Sequence, residues 1–195
     1  MAEIKSTMEM VLERAAKMAE DAPTVTENED IIKTGMRLAA EYLSGKSIDL
    51  QEALASQPSE VQVDVRRGMC QTLLRNIVLP RDEDLQIAGQ HALKGINDLG
   101  GDGSDISAIC HELAQILDQY GQHKDQTTEQ LKDALKAQIQ QQQMASGQEQ
   151  GGEINPVMHP QFAEELSKMM TSLNNQYNDA MDQRKAAILE RFSIS

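Results

Sequence analysis

From Ser6 to Phe192 the chain repeats one pattern: a polar capping residue, apolar residues three and four positions apart, and then a Gly or Pro stop. That spacing is the period of a helix with one face turned to a core, so the chain reads as all-α. Composition points the same way. Aromatic residues make up only 3%, Trp is absent and there are eleven Met, so the core must be built from Leu, Ile, Val, Ala and Met. Most of these favour helices, whereas strands draw on aromatic and β-branched residues.

The first segment has Ser6 and Glu9 as a capping box and a stripe of Ile4, Met8, Val11, Leu12, Ala15 and Met18, and Pro23 ends it. A second helix starts at Thr26, with Glu29 as its box partner, and stops at Ser44 and Gly45; Gly35 and Ala39 would let a neighbouring helix approach closely. A short helix follows Asp49, and a longer one is expected from about Pro58 to Leu79. Pro80 stops that helix, and Asp82, Glu83 and Asp84 supply the cap and first-turn charge of the next, which carries Leu85, Ala88, Ala92, Ile96 and Leu99 inward. After "GGDGSD" a helix is expected from Asp105 to Tyr120, ending at Gly121.

Beyond Gly121 the chain turns Gln-rich. The pattern predicts a helix to about Met144, a flexible Gln/Gly-rich loop near 145–157, and a last long helix begun by Pro160. In that helix Phe162, Leu166, Met169, Leu173, Ala180 and Ala187 form one row, and Met170, Tyr177, Met181, Ile188 and Phe192 form a second beside it. The expected architecture is therefore a multi-helix bundle over 1–121, followed over 122–195 by two long helices forming an antiparallel hairpin or a coiled-coil-like extension. A hairpin cannot bury so wide a double row alone. It should pack on the bundle, on a second copy, or on another protein.

The formal charge of −13 is uneven, with 11 Lys+Arg against 21 Asp+Glu in residues 1–121 and 7 against 10 in 122–195. Neither part offers a surface for neutralising phosphates, so no nucleic acid and no anionic membrane is expected as partner. No apolar run approaches the roughly 18 residues of a membrane helix. Cys70 and Cys110 form no Cys-x-x-Cys and the opening "MAEIKSTMEM" has no basic-then-apolar run, so two free thiols in a cytoplasmic setting are expected.

"ICHELAQIL" at 109–117 falls one residue short of His-Glu-x-x-His, because Gln115 stands where the second imidazole belongs. At about 100° per residue, Ile106, Ile109, Cys110, Leu113, Ile116, Leu117 and Tyr120 share one arc, with His111 nearly opposite Cys110. Cys110 and His111 cannot cooperate from one helix, and His111 with Gln115 should face solvent. The stretch from Asp98 has Gly100 at the third place of a calcium loop and Ile109 at the twelfth, where a bidentate Glu is required, so that geometry fails. Neither a phosphate loop nor a Gly-x-Ser-x-Gly elbow is present.

"MAEIKSTME", "GMRLAAEYL", "NIVLPRDED", "HPQF" and "LNNQY", in that order, resemble a family of small uncharacterised bacterial proteins of unknown function. The resemblance implies a bacterial, helical, non-secreted protein, and brings no catalytic or binding residues with it. The leading expectation is a non-enzymatic interaction or scaffold protein with no cofactor. Its partner would be itself, as a homodimer, or another protein, held through Phe162, Leu166, Met169, Met170, Leu173 and Tyr177 unless these form intramolecular core. The alternative is an enzyme, or a metal- or small-ligand-binding protein, in which Cys70, His91 and Cys110 meet inside the bundle.

Overall fold

A computed structural model describes residues 25–100, 105–146 and 155–194. The expected first helix, the centre of "GGDGSD" and most of the expected loop lie outside them. Among the described residues there are six α-helices, one 3-10 turn and no strand. The chain divides into two compact units, residues 1–72 and 73–195.

The first unit holds α1 (Val25–Leu43), α2 (Leu50–Ala55) and most of α3 (Gln62–Arg75). Gly45 ends α1 at φ +83°, where its N–H bonds to Tyr42 O at 3.0 Å and the N–H of Lys46 reaches back to Glu41 O at 3.3 Å. This 6→1 and 5→2 pairing around a left-handed glycine stops a helix while satisfying its last carbonyls. Asp49 then caps α2, accepting from the N–H groups of Gln51 at 2.8 Å and Glu52 at 3.0 Å.

Two glycines bring α1 and α3 together. A Cβ on Gly35 would overlap Val65 O and lie 2.8 Å from Val65 C; a Cβ on Gly68 would overlap Ile32 O and lie 2.9 Å from Ile32 C. Only residues without a side chain allow two backbones so close. Gly35 thus acts as the sequence suggests, and Gly68 supplies the reciprocal half. Ala39, Tyr42, Leu50, Val65, Met69 and Cys70 are buried around this crossing.

The helix α3 is shorter than the expected span of 58–79. Residues 58–61 form a turn, with Val61 N–H bonding to Pro58 O at 3.0 Å, and the chain leaves the helix at Asn76, five residues after Gln71 and before Pro80 can clash with it. The early exit leaves Ile77 buried and turns Val78 outward.

In the second unit Asp82 accepts from the N–H of Leu85 at 2.9 Å and opens α4 (Glu83–Gly100), as the acidic triplet predicts. The next helix, α5, runs unbroken from Asp105 to Ser146. Its passage through Gly121 corrects the expected stop there, so position 121 lies inside a helix of the second unit. A lone glycine costs a helix interior only about 1 kcal/mol. Here the neighbouring turns are tied to α6 (Pro160–Ile194) by Tyr120, whose hydroxyl donates to Asn174 Oδ1 at 2.9 Å, and by His123, whose Nδ1 lies 2.6 Å from the Tyr177 hydroxyl.

The helices of this unit run antiparallel in turn. Gly100 sits at Ile106, Gly89 near Leu117, and Lys124 Nζ donates to Arg81 O at 3.0 Å, so α4 follows only the first half of α5. Phe162 packs with Leu131 and Leu135, Tyr177 with His123, and Arg184 Nε pairs with Glu112 at 2.9 Å, so α6 follows α5 along nearly its whole length. The unit is therefore a three-helix base from which α5 and α6 continue, past Lys124, as a two-helix stalk. The stalk portion of α5 is about 30 Å long at 1.5 Å per residue.

Candidate interaction surface

The two apolar rows of α6 meet different fates in base and stalk. In the base Met181, Ile188 and Phe192 are almost fully buried, as are Ile96 on α4 and Leu113 on α5. Three helices enclose a core where two cannot. Among the described residues the stalk part of α6 packs against α5 and the turn at Pro156–Met158, and the buried cluster there is Leu131, Leu135 and Phe162, with Leu166 partly covered against it. Met170 and Leu173 remain half-buried and Met169 is 38% exposed.

Of the residues proposed as contact anchors, Phe162 is thus inside the stalk, while Leu166, Met169, Met170 and Leu173 are left incompletely covered. Tyr177 sits at the junction of stalk and base, edge-on to Tyr120 with ring centroids 5.4 Å apart and to His123 at 5.8 Å. Burial raises the pKa of both tyrosines; for Tyr120 the positive charge of Arg81 partly opposes it.

The far end of the stalk carries residues that the periodicity argument passed over. Asn155 caps a 3-10 turn, Pro156–Met158, accepting from Val157 N–H at 3.1 Å, and the turn packs against both α5 and α6. His159 starts α6, its Nδ1 accepting from Gln161 N–H at 3.3 Å. On this tip Met158 is 80% exposed and Met144, on the last turns of α5, is 83% exposed, with Val157 also outward. Helical spacing could not flag them, since Met144 lies in a Gln run and Val157 and Met158 lie in no helix. The signal available was the lack of charge: residues 137–146 and 155–163 contain no Asp, Glu, Lys or Arg in a chain that is 25% charged.

The thiol and imidazole candidates are divided between the two units. Cys70 belongs to the first unit, and His91 and Cys110 to the second. Both cysteines are buried thiols, and burial pushes the Cys110 thiol up to about 11, which keeps it protonated at neutral pH. On the opposite side of the same helix His111 and Gln115 are exposed, and their Nε2 atoms lie 3.2 Å apart. Among the described residues no group of three or more His, Cys, Asp or Glu side chains is placed to hold a metal ion. A notch lined by Val78, Pro80, Leu85, Leu93, Ala114 and Leu117 holds about 40 Å³, far below the roughly 300 Å³ at which ligand pockets begin.

Among the described residues no helix is long and apolar enough to cross a membrane. No curated protein and no solved structure matches the chain. A family model does match, over residues 51–190, from α2 to the last turns of α6. With most of its length covered, the chain belongs to that family of unknown function, DUF6657.

Proposed function

We propose that this protein is a non-enzymatic interaction or scaffold protein that works through the stalk of α5 and α6. The observation that carries the reading is the uneven covering of α6: Met181, Ile188 and Phe192 are buried in the base, whereas Met169, Met170 and Leu173 in the stalk are covered incompletely. Exposed apolar side chains gathered on one projecting element are what a binding surface provides, and methionine adapts its shape to a partner. The α5–α6 pair gives the surface a coiled-coil-like frame. Two buried thiols suit a reducing bacterial cytoplasm, which is part of the same reading.

The test is capture from lysate of the source organism by the full chain and by a variant carrying Met144→Glu, Met158→Glu and Met169→Glu. Proteins, or further copies of the chain, held by the wild type and lost by the variant support the reading. An identical set from both sinks it.

A further inference from the structure

Independently of what the stalk binds, we propose that it is hinged to the base: α5 and α6 bend together at the level of Gly121 and Asn174, where the Tyr120–Asn174 and His123–Tyr177 contacts act as the latch. An apolar core lies on either side of this level. Leu113, Leu117, Met181 and Ile188 are buried in the base, and Leu131, Leu135 and Phe162 in the stalk. Between them, residues 121–130 of α5 and 163–180 of α6 include none that is buried. Tyr120 is the last buried side chain before the gap, and from there to Leu131 α5 rises about 16 Å, three turns of helix. A bend within this span parts polar ties and half-covered side chains, not a packed core.

Both helices are weak at this one level. On α5 it holds Gly121 and then Thr128, whose hydroxyl donates to Lys124 O at 2.8 Å. On α6 it holds Thr171, whose hydroxyl donates to Ser167 O at 2.7 Å, and then Asn174, Asn175 and Asn178. Gly, Asn and Thr are poor helix formers. A hydroxyl bonded back to the carbonyl four residues earlier bends a helix, and glycine is a usual place for a kink. A kink in one helix alone would part it from its neighbour. Here the antiparallel pairing of Tyr120 with Asn174 and of His123 with Tyr177 sets the two weak spans side by side, so they can bend as one. What holds the level together is polar. Besides the two latch bonds, Lys124 Nζ donates to Arg81 O at 3.0 Å, so these three ties come from residues within one turn of Gly121. Half-exposed hydrogen bonds are exchanged for bonds to water at small net cost, which a buried leucine cannot do.

Hydrogen exchange of the full chain is the first test. Amides of residues 121–130 and 168–178 are expected to exchange about tenfold or more faster than those around Leu113 and Ile188, and also faster than those around Leu135 and Phe162. Protection that falls steadily from base to tip is fraying from the end, and overturns the hinge. The second test is the distance between spin labels at Lys94→Cys on α4 and Lys136→Cys on the stalk, both exposed positions, read by pulsed electron resonance with the labelled protein diluted in unlabelled chain. The expected distribution is broad, widens when Asn174→Ala and Tyr177→Phe remove the latch bonds, and narrows in Gly121→Ala, with helix content by circular dichroism unchanged in each. A distribution that none of these substitutions alters overturns the proposal.

Discussion

The hydroxyl of Tyr177 lies 2.6 Å from Nδ1 of His123, three residues past the point where the Tyr120 hydroxyl, on the other side of Gly121, donates to Asn174. Together these contacts pin the unbroken middle of α5 to α6, near the level where α4 starts and the stalk begins. Asn174→Ala would leave the buried Tyr120 hydroxyl without its acceptor and is expected to cost about 1–3 kcal/mol. Tyr177→Phe keeps the ring contacts, loses a half-exposed bond, and should cost under about 1.5 kcal/mol. Urea denaturation of both variants checks the order; equal costs would contradict it.

Two glycine substitutions should have opposite signs. Gly35→Ala drives a methyl into the Val65 carbonyl, which is backbone and cannot rotate away, so α1 and α3 must separate at a cost of about 3 kcal/mol or more. Gly121→Ala meets nothing within 4 Å in a helical backbone, and should stabilise by about 0.5–1 kcal/mol. Thermal denaturation reads both.

The Cys110 thiol carries a pH dependence. Its ordinary value of 9.0 is raised to about 11 by burial, so below pH 9 it is protonated in folded and unfolded chains alike and the burial contribution is fully present. As pH rises from 9 to 11 the unfolded chain releases the proton first and stability falls, by up to about 2–3 kcal/mol. Comparing urea stability at neutral and alkaline pH, Cys110→Ala should lose less than the wild type; parallel losses would remove Cys110 as the cause. Alkylation at pH 8 should likewise label Cys110 only on unfolding.

Phe162→Ala should open the stalk without unfolding the base. Its core there is Leu131, Leu135 and Leu166, whereas the base keeps Leu113, Ile188 and Phe192. Hydrogen exchange is expected to quicken in residues 131–146 and 160–166 and to hold its rate around Leu113 and Ile188. Uniform quickening would mean that stalk and base form one cooperative unit.

Dilute hydrogen peroxide should oxidise Met144 and Met158 well before Met69 and Met181, which are buried. Peptide mass spectrometry along a time course gives the order, and early oxidation of Met181 would contradict the described base.

Periodicity and capping chemistry are local, and what they determine was legible in the chain alone. The Thr26 to Gly45 helix, the Asp49 and Asp82 caps, the start at Pro160, and the inward Cys110 against the outward His111 all follow from residues within a turn or two of each other. Tertiary packing decided what local signals weigh too lightly. Gly121 marks a stop by propensity, yet contacts to Asn174 and Tyr177, more than fifty residues away, carry α5 through it. Leu73 and Ile77 share a helical face in the sequence, but the chain leaves α3 between them and still buries both. On α6 Met181, Ile188 and Phe192 become core beside α4, whereas Leu166, Met169, Met170 and Leu173 beyond it stay partly covered, because burial depends on how many helices surround a position, and that number is set by where α4 begins along α5.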